Sequence, residues 1–184
     1  DTVAQGMDAM KFGNKLTYTK KGELRIGAED ACQQENLARV AAYFDEIQMP
    51  YTLEEDILHR LWGKFMLNVG VNQTCMAYET NYGGALREGS EANETMLAAM
   101  REVIALANAE GIHLTETDLD EYIAILRTLS PEGMPSMRQD GVSRRPSEVE
   151  MFAGTVIPMA ARHGIPGPAN TFLYEKIKKI EASY

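Results

Sequence analysis

The stretch LWGKFMLNVGVNQTCMAY, residues 61–78, holds one charged side chain, Lys64, followed at four-residue steps by Asn68 and Asn72. At roughly 100° per residue, positions i, i+4 and i+8 drift only about 40° per step and share one stripe of a helix. A solvated helix face is the ordinary reading of such a series. That face would carry several Glu, Lys or Arg, and apart from Lys64 no charge occurs between Arg60 and Glu79. Leu61, Val71 and Cys75 flank the stripe, and Phe65 lies just beyond Asn68. A lysine in such surroundings is desolvated, which lowers its pKa and makes it a better proton donor to a developing alkoxide. Asparagines one and two turns along could hydrogen-bond the oxygens of a small substrate. From these residues alone a solvated face and a functional line both stay open, and neither specifies a reaction.

Other candidates carry less. His59, His113 and His163 have no metal-ligand spacing and read as surface or loop residues, so no metal site is expected. Cys32 and Cys75 lack CxxC spacing and read as free thiols of a reducing cytoplasm. The eleven methionines suit core and interface gaps. Asp140 and Arg144 are expected to anchor their segment by ion pairing. A net charge of −9 argues against nucleic acid or an anionic membrane as the main partner, while leaving room for a local cationic pocket that takes a small anion. No apolar run reaches the length of a membrane span without costly polar residues.

The elements that must position the stripe are mostly helical. In KLTYTKKGELRIG (15–27), Leu16 and Tyr18, then Leu24 and Ile26, alternate around a Lys-Lys-Gly turn, a β-hairpin pattern. Leu37, Val40, Phe44 and Ile47 keep helical spacing until Pro50, and a second helix is expected from about Glu54 to Cys75. Ser90 caps a third helix that Gly111 ends, and Thr115 with Asp118 starts a fourth. SPEGMPSMRQDGVSRRP reads as a loop with a short helix. Ser147 and Glu150 have capping-box spacing for a helix through about Arg162, and Asn170 or Thr171 opens the last one.

Four segments together carry a family resemblance: KFMLNVGVN (64–72), SMRQD (136–140), RRPSEVEMFAG (144–154) and HGIPGPANTFLYEKIK (163–178). In order and spacing they resemble the C-terminal domain of ketopantoate reductase (2-dehydropantoate 2-reductase), from about residue 30 onward. The resemblance implies a mainly α fold of the 6-phosphogluconate dehydrogenase C-terminal-domain-like type, with a short N-terminal β-hairpin left from a preceding domain. It implies residues 1–28 as the junction of a nucleotide-binding domain and residues 29–184 as the helical substrate-binding and catalytic domain. No strand–GxGxxG–helix unit occurs in the chain; the close glycines of YGG at 82–84 follow no strand. The chain alone is therefore expected to be inactive.

Roles follow only at matched positions. The resemblance implies Lys64 as the general acid for a ketone, with NADPH as hydride donor, and Asn68, Asn72 and Ser136 as substrate-binding residues. It implies Glu148 beside the nicotinamide ribose, where it can pair with the lysine. Ser136 and Glu148 also lie near helix starts, where capping alone favours them. Asn81 and Tyr82 fall near another amide position of the family and are left unassigned. The implied activity is reduction of 2-dehydropantoate to pantoate for coenzyme A synthesis by a cytoplasmic homodimer. A related 2-keto acid reductase and a non-catalytic helical oligomerisation module are the alternatives.

Overall fold

The computed structural model describes the backbone of residues 1–184 and every side chain except those of residues 7, 8, 10–12, 19 and 20. The chain divides into two compact units, Asp1–Leu61 and Trp62–Tyr184.

The first unit is built on a hairpin of β1 (Thr2–Phe12) and β2 (Lys15–Ile26), paired antiparallel. The chain reverses at Gly13-Asn14, with Gly13 at φ 56°, and not at Lys20-Lys21-Gly22. Leu16, Tyr18, Leu24 and Ile26 all sit at even positions, so their alternation is that of one unbroken strand. Gly22 marks an irregularity within it: Gly22 and Gly6 both have positive φ and face each other, and the register shifts between Asp8 and Ala9. Helix α1 (Gln34–Glu46) then carries the chain to β3 (Tyr51–Leu53), which pairs parallel with β2. The boundary read between residues 28 and 29 thus falls inside this unit. Three residues of β3 carry too little pattern to be seen as a strand. Among the described residues α1 buries none of its side chains, and Val40, Tyr43 and Ile47 are exposed.

Helix α2 (Ile57–Ala77) starts in the first unit, with Asp56 accepting the His59 N–H at 2.9 Å, and its later turns run through the second. There follow α3 (Tyr82–Ala85), α4 (Glu91–Ala109), α5 (Glu116–Arg127), α6 (Ser136–Val142), α7 (Ala153–Arg162) and α8 (Pro168–Glu181). The expected caps at Ser90 and Thr115 form, the latter as a full capping box with Asp118. The Ser147–Glu150 box does not form: α7 starts at Ala153, and the Glu150 carboxylate is taken by Tyr174 and Lys178. Asp140 pairs with Arg145 at 2.6 Å and not with Arg144, whose backbone turns to φ 51°.

Fully buried methionines 66, 76, 96, 100 and 137 fill the core of this unit, as unbranched side chains suit an irregular helical interior. Helices approach α2 closely where it has no side chain. A Cβ on Gly63 would collide with the Tyr122 ring of α5, and one on Gly70 with Met100 of α4.

Through this apolar interior runs a chain of polar groups. The fully buried Gln73 amide donates to Val69 O (2.8 Å) and Asn170 Oδ1 (3.1 Å) and accepts the Ala153 N–H (3.1 Å). Asn170 Nδ2 in turn donates to Glu102 Oε2 at 2.7 Å and to Ala99 O at 3.3 Å. The Glu102 carboxylate also takes the Ala169 and Asn170 N–H groups at 2.7 and 3.0 Å, so α4 caps the start of α8 from outside. For this reason α8 begins at Pro168, two residues before the expected Asn170. Replacing Glu102 with Ala orphans two helix N–H groups, one buried and one partly buried. We expect a loss of about 3 kcal/mol in urea denaturation with an unchanged m-value.

Candidate active site

Lys64, Asn68 and Asn72 lie on successive turns of α2. Lys64 and Asn68 are half-buried and Asn72 is 7% exposed. Among the described residues none of the three side chains makes a hydrogen bond or ion pair. The lysine is desolvated, and this burial holds its ammonium pKa below the ordinary 10.5. The line is partly buried, yet among the described residues its polar atoms have no protein partners and keep access to solvent. That combination presents one cation and two amides to whatever binds against α2.

The far end of the same face is covered. Gly141 of α6 leaves room for Met76, and Arg138 reaches Glu79 at 3.6 Å. Beneath them Cys75 is fully buried. Burial pushes its thiol up to about 12 against the opposing pull of Arg138, so it is no nucleophile at neutral pH. Helix α6 thus packs over the last turns of α2, and its first residue is Ser136.

Ser136 and Glu148 come together. The Ser136 hydroxyl donates to Glu148 Oε2 at 3.1 Å. Neither side chain caps the helix that follows it: α6 and α7 both start without a side-chain cap bond. The capping explanation of these two residues therefore falls away. The expected pairing of Glu148 with Lys64 is not made, since the carboxylate takes the serine and the lysine has no ion pair among the described residues.

Asn81 is occupied elsewhere. It caps α3 by accepting the Gly84 N–H at 2.9 Å and donates to Glu132 at 3.1 Å, while the Tyr82 N–H holds Gly133 O at 3.0 Å. His163 touches Glu110 at 2.7 Å where α7 and α4 end. No group of His, Cys, Asp and Glu with metal-holding geometry occurs among the described residues. Sequence reasoning passed over Gln73, Glu102 and Asn170 as a unit. The available signal was Gln73 itself, a polar residue rotated about 100° off the stripe and so directed into the core.

The family model for "Ketopantoate reductase PanE/ApbA C terminal" matches residues 56–181, the greater part of the chain. This chain belongs to the ketopantoate reductase family. The 2-dehydropantoate 2-reductase of Vibrio cholerae serotype O1 is 27% identical over 171 residues, covering 93% of this chain and 57% of the relative. Among solved structures, a PanE/ApbA family ketopantoate reductase from Ralstonia eutropha JMP134 superposes with a TM-score of 0.83 at 26% identity, covering 99% of this chain and 59% of that one. D-mandelate dehydrogenase in complex with NADH shares the fold, with a TM-score of 0.85 at 18% identity over 99% of this chain and 62% of that one. The chain spans less than two thirds of the length of these proteins. The ketopantoate reductase family is one of oxidoreductases, and its C-terminal domain is the mainly helical fold described above. No helix among the described residues is long and apolar enough to cross a membrane.

The desolvated lysine has a consequence for stability. A lysine whose folded pKa lies below its unfolded value binds its proton less readily in the folded state. Its charge therefore destabilises the fold below that depressed pKa, and the penalty fades as pH rises toward 10.5. Lys64→Met is expected to raise Tm at about pH 7, by about 2–4 °C for each kcal/mol relieved. The gain over the parent should shrink by about pH 10 in thermal melts across that range.

Proposed function

We propose that the intact protein carrying this sequence is an NADPH-dependent 2-dehydropantoate 2-reductase, acting on the route to coenzyme A. The observation that carries the reading is the line of polar side chains without protein partners, Lys64, Asn68 and Asn72, around a half-buried, partly desolvated lysine. A ketone oxygen acquiring negative charge needs what that line offers: a nearby cation, an acidic proton and hydrogen-bond donors fixed before the reaction starts.

In this reading Lys64 Nζ protonates the oxygen at C2 of the keto acid as the alkoxide develops. Its depressed pKa makes that transfer easier than from a solvated lysine. The Asn68 and Asn72 amides hold substrate oxygens in line with the ammonium. The Ser136 hydroxyl, now on Glu148, has an acceptor lone pair and a movable proton with which to meet the substrate carboxylate.

The residues present fit the nicotinamide end of the cofactor. Glu148, half-buried beside Ser136, has a second carboxylate oxygen able to accept a ribose hydroxyl. No glycine-rich strand-to-helix turn for a pyrophosphate occurs in the sequence. When bound, NADPH supplies the hydride for C2. The parallel pairing of β2 with β3 through α1 is the unit from which nucleotide-binding sheets are built, and it supports residues 1–28 as part of the junction with such a domain. A homodimer in the cytoplasm completes the reading.

The test is an NADPH-consumption assay of the intact protein over a panel of 2-keto acids. We expect 2-dehydropantoate to give the highest kcat/KM, and best turnover of another branched keto acid would reassign the substrate within the family. Lys64→Ala should lower kcat by about two orders of magnitude or more; unchanged turnover removes Lys64 from the mechanism. Residues 1–184 alone should not bind NADPH in a fluorescence titration.

A further inference from the structure

Glu148 stands on a turn between helices. Its carbonyl oxygen accepts the Met151 and Phe152 N–H groups at 2.9 and 3.3 Å, and Ser147 Oγ accepts the Val149 N–H at 3.4 Å. These bonds shape the turn but tie it to nothing outside itself. Three side chains of α8 do that. Glu181 Oε1 accepts the Ser147 N–H at 2.7 Å. Glu150 Oε1 accepts the Tyr174 hydroxyl at 2.9 Å and the Lys178 ammonium at 3.3 Å. Lys178 reaches Glu181 Oε2 at 3.4 Å.

Tyr174, Lys178 and Glu181 are spaced i, i+4 and i+7, so one face of α8 supplies all of these polar contacts, while Val149 and Phe152 bury their side chains in the core. The contacts fall on the residue before Glu148 and on the second residue after it. Glu181 is the best buried of the charged members, 13% exposed against 44% for Lys178 and 63% for Glu150. Burial alone would raise its carboxyl pKa; the Ser147 hydrogen bonds and Lys178 outweigh that and hold it below the usual carboxylate range. A charge-assisted bond to a backbone N–H is short, directional and strong, suited to fixing a peptide plane.

We propose that Glu181 is a positioning residue: by holding the Ser147 peptide against α8 it fixes the turn that aims the Glu148 carboxylate at Ser136. The proposal rests on the reading of Glu148 as a site residue. The polar partners of Glu181 are the Ser147 N–H and Lys178, not Ser136, so its effect passes through the turn to Glu148. A purely structural anchor would lower stability and activity independently of Glu148; a positioning residue would not.

The experiment is a double-mutant cycle in the intact protein with 2-dehydropantoate and NADPH, read as kcat and KM separately. Glu181→Ala is expected to lower kcat/KM on the order of 10-fold, the scale of a sub-ångström displacement of a site group. Glu181→Gln, which keeps an oxygen for the Ser147 N–H, should recover most of that loss. On the background of Glu148→Gln, Glu181→Ala should cost little more. Hydrogen exchange of the Ser147 amide is measured in parallel and should speed up in Glu181→Ala. Additive losses, or a Ser147 amide that exchanges no faster, overturn the proposal. Full turnover in Glu148→Gln overturns instead the reading of the site on which it rests.

Discussion

The second unit depends on the path from Gln73 through Asn170 to Glu102. Buried amides and carboxylates are costly unless their hydrogen-bonding capacity is used. Here Gln73 and Asn170 find partners for both ends of their amides, and both Glu102 oxygens receive N–H groups. The bonds are directional, and they join the middle of α2 to the starts of α7 and α8 and to α4. An apolar core of methionines, leucines and valines could slide one helix turn at modest cost, because such side chains repack. Amides with single sets of partners cannot. The network fixes the rotation of α2 about its axis, and with it the direction in which Lys64, Asn68 and Asn72 point.

Rotation fixed in this way explains how α2 tolerates an unpartnered polar line. Gly63 and Gly70 bring α5 and α4 close on another face of the helix, adding dispersion contacts along its length. A desolvated lysine costs stability, and the surrounding packing offsets that cost without supplying a counter-ion. Any internal carboxylate placed against Lys64 would raise its pKa and occupy its proton. The site keeps its two polar parts separate: the lysine on α2 is left open, and the carboxylate of Glu148 is parked on the Ser136 hydroxyl. In the proposed reading, substrate completes contacts that the protein has left unmade, the condition for hydrogen bonds that strengthen as charge develops.

Much of this was legible in residue types and spacing. Helix caps at Ser90 and Thr115 were readable because their mechanism is local: a side-chain oxygen meets an N–H three residues on. The polar line was readable because period 3.6 is imposed by the helix itself. Where long-range contacts competed with local rules, the reading failed. Glu150 fits a capping box with Ser147, but the Tyr174 hydroxyl and Lys178 ammonium bind it more strongly than a helix start would. Asn170 resembles a cap, yet Glu102 from another helix does that work and moves the start to Pro168. The Lys-Lys-Gly hairpin turn was a misreading of a different kind: a three-residue reversal at 20–22 would also set Tyr18 against Leu24 and Leu16 against Ile26, so the even spacing could not choose between it and the two-residue turn at Gly13-Asn14 that the chain uses. The parallel partner of β2 was out of reach, since three residues of β3 carry almost no periodicity.

Asn72 and Gln73 draw the distinction most sharply. They are neighbours in sequence, both amides, both buried. About 100° of helix rotation separates them, and it sends one into the core and the other onto the open line. Gln73 spends its amide on three elements of the fold, α2, α7 and α8, whereas Asn72 has no hydrogen-bond partner among the described residues. With no protein partner and with its polar atoms still reaching solvent, the Asn72 amide stays available to a ligand. An amide left without a partner on α2 fits the proposed contact with substrate oxygens. In the proposed reading the site begins at Lys64 and Asn72, and Gln73 belongs to the scaffold that aims it.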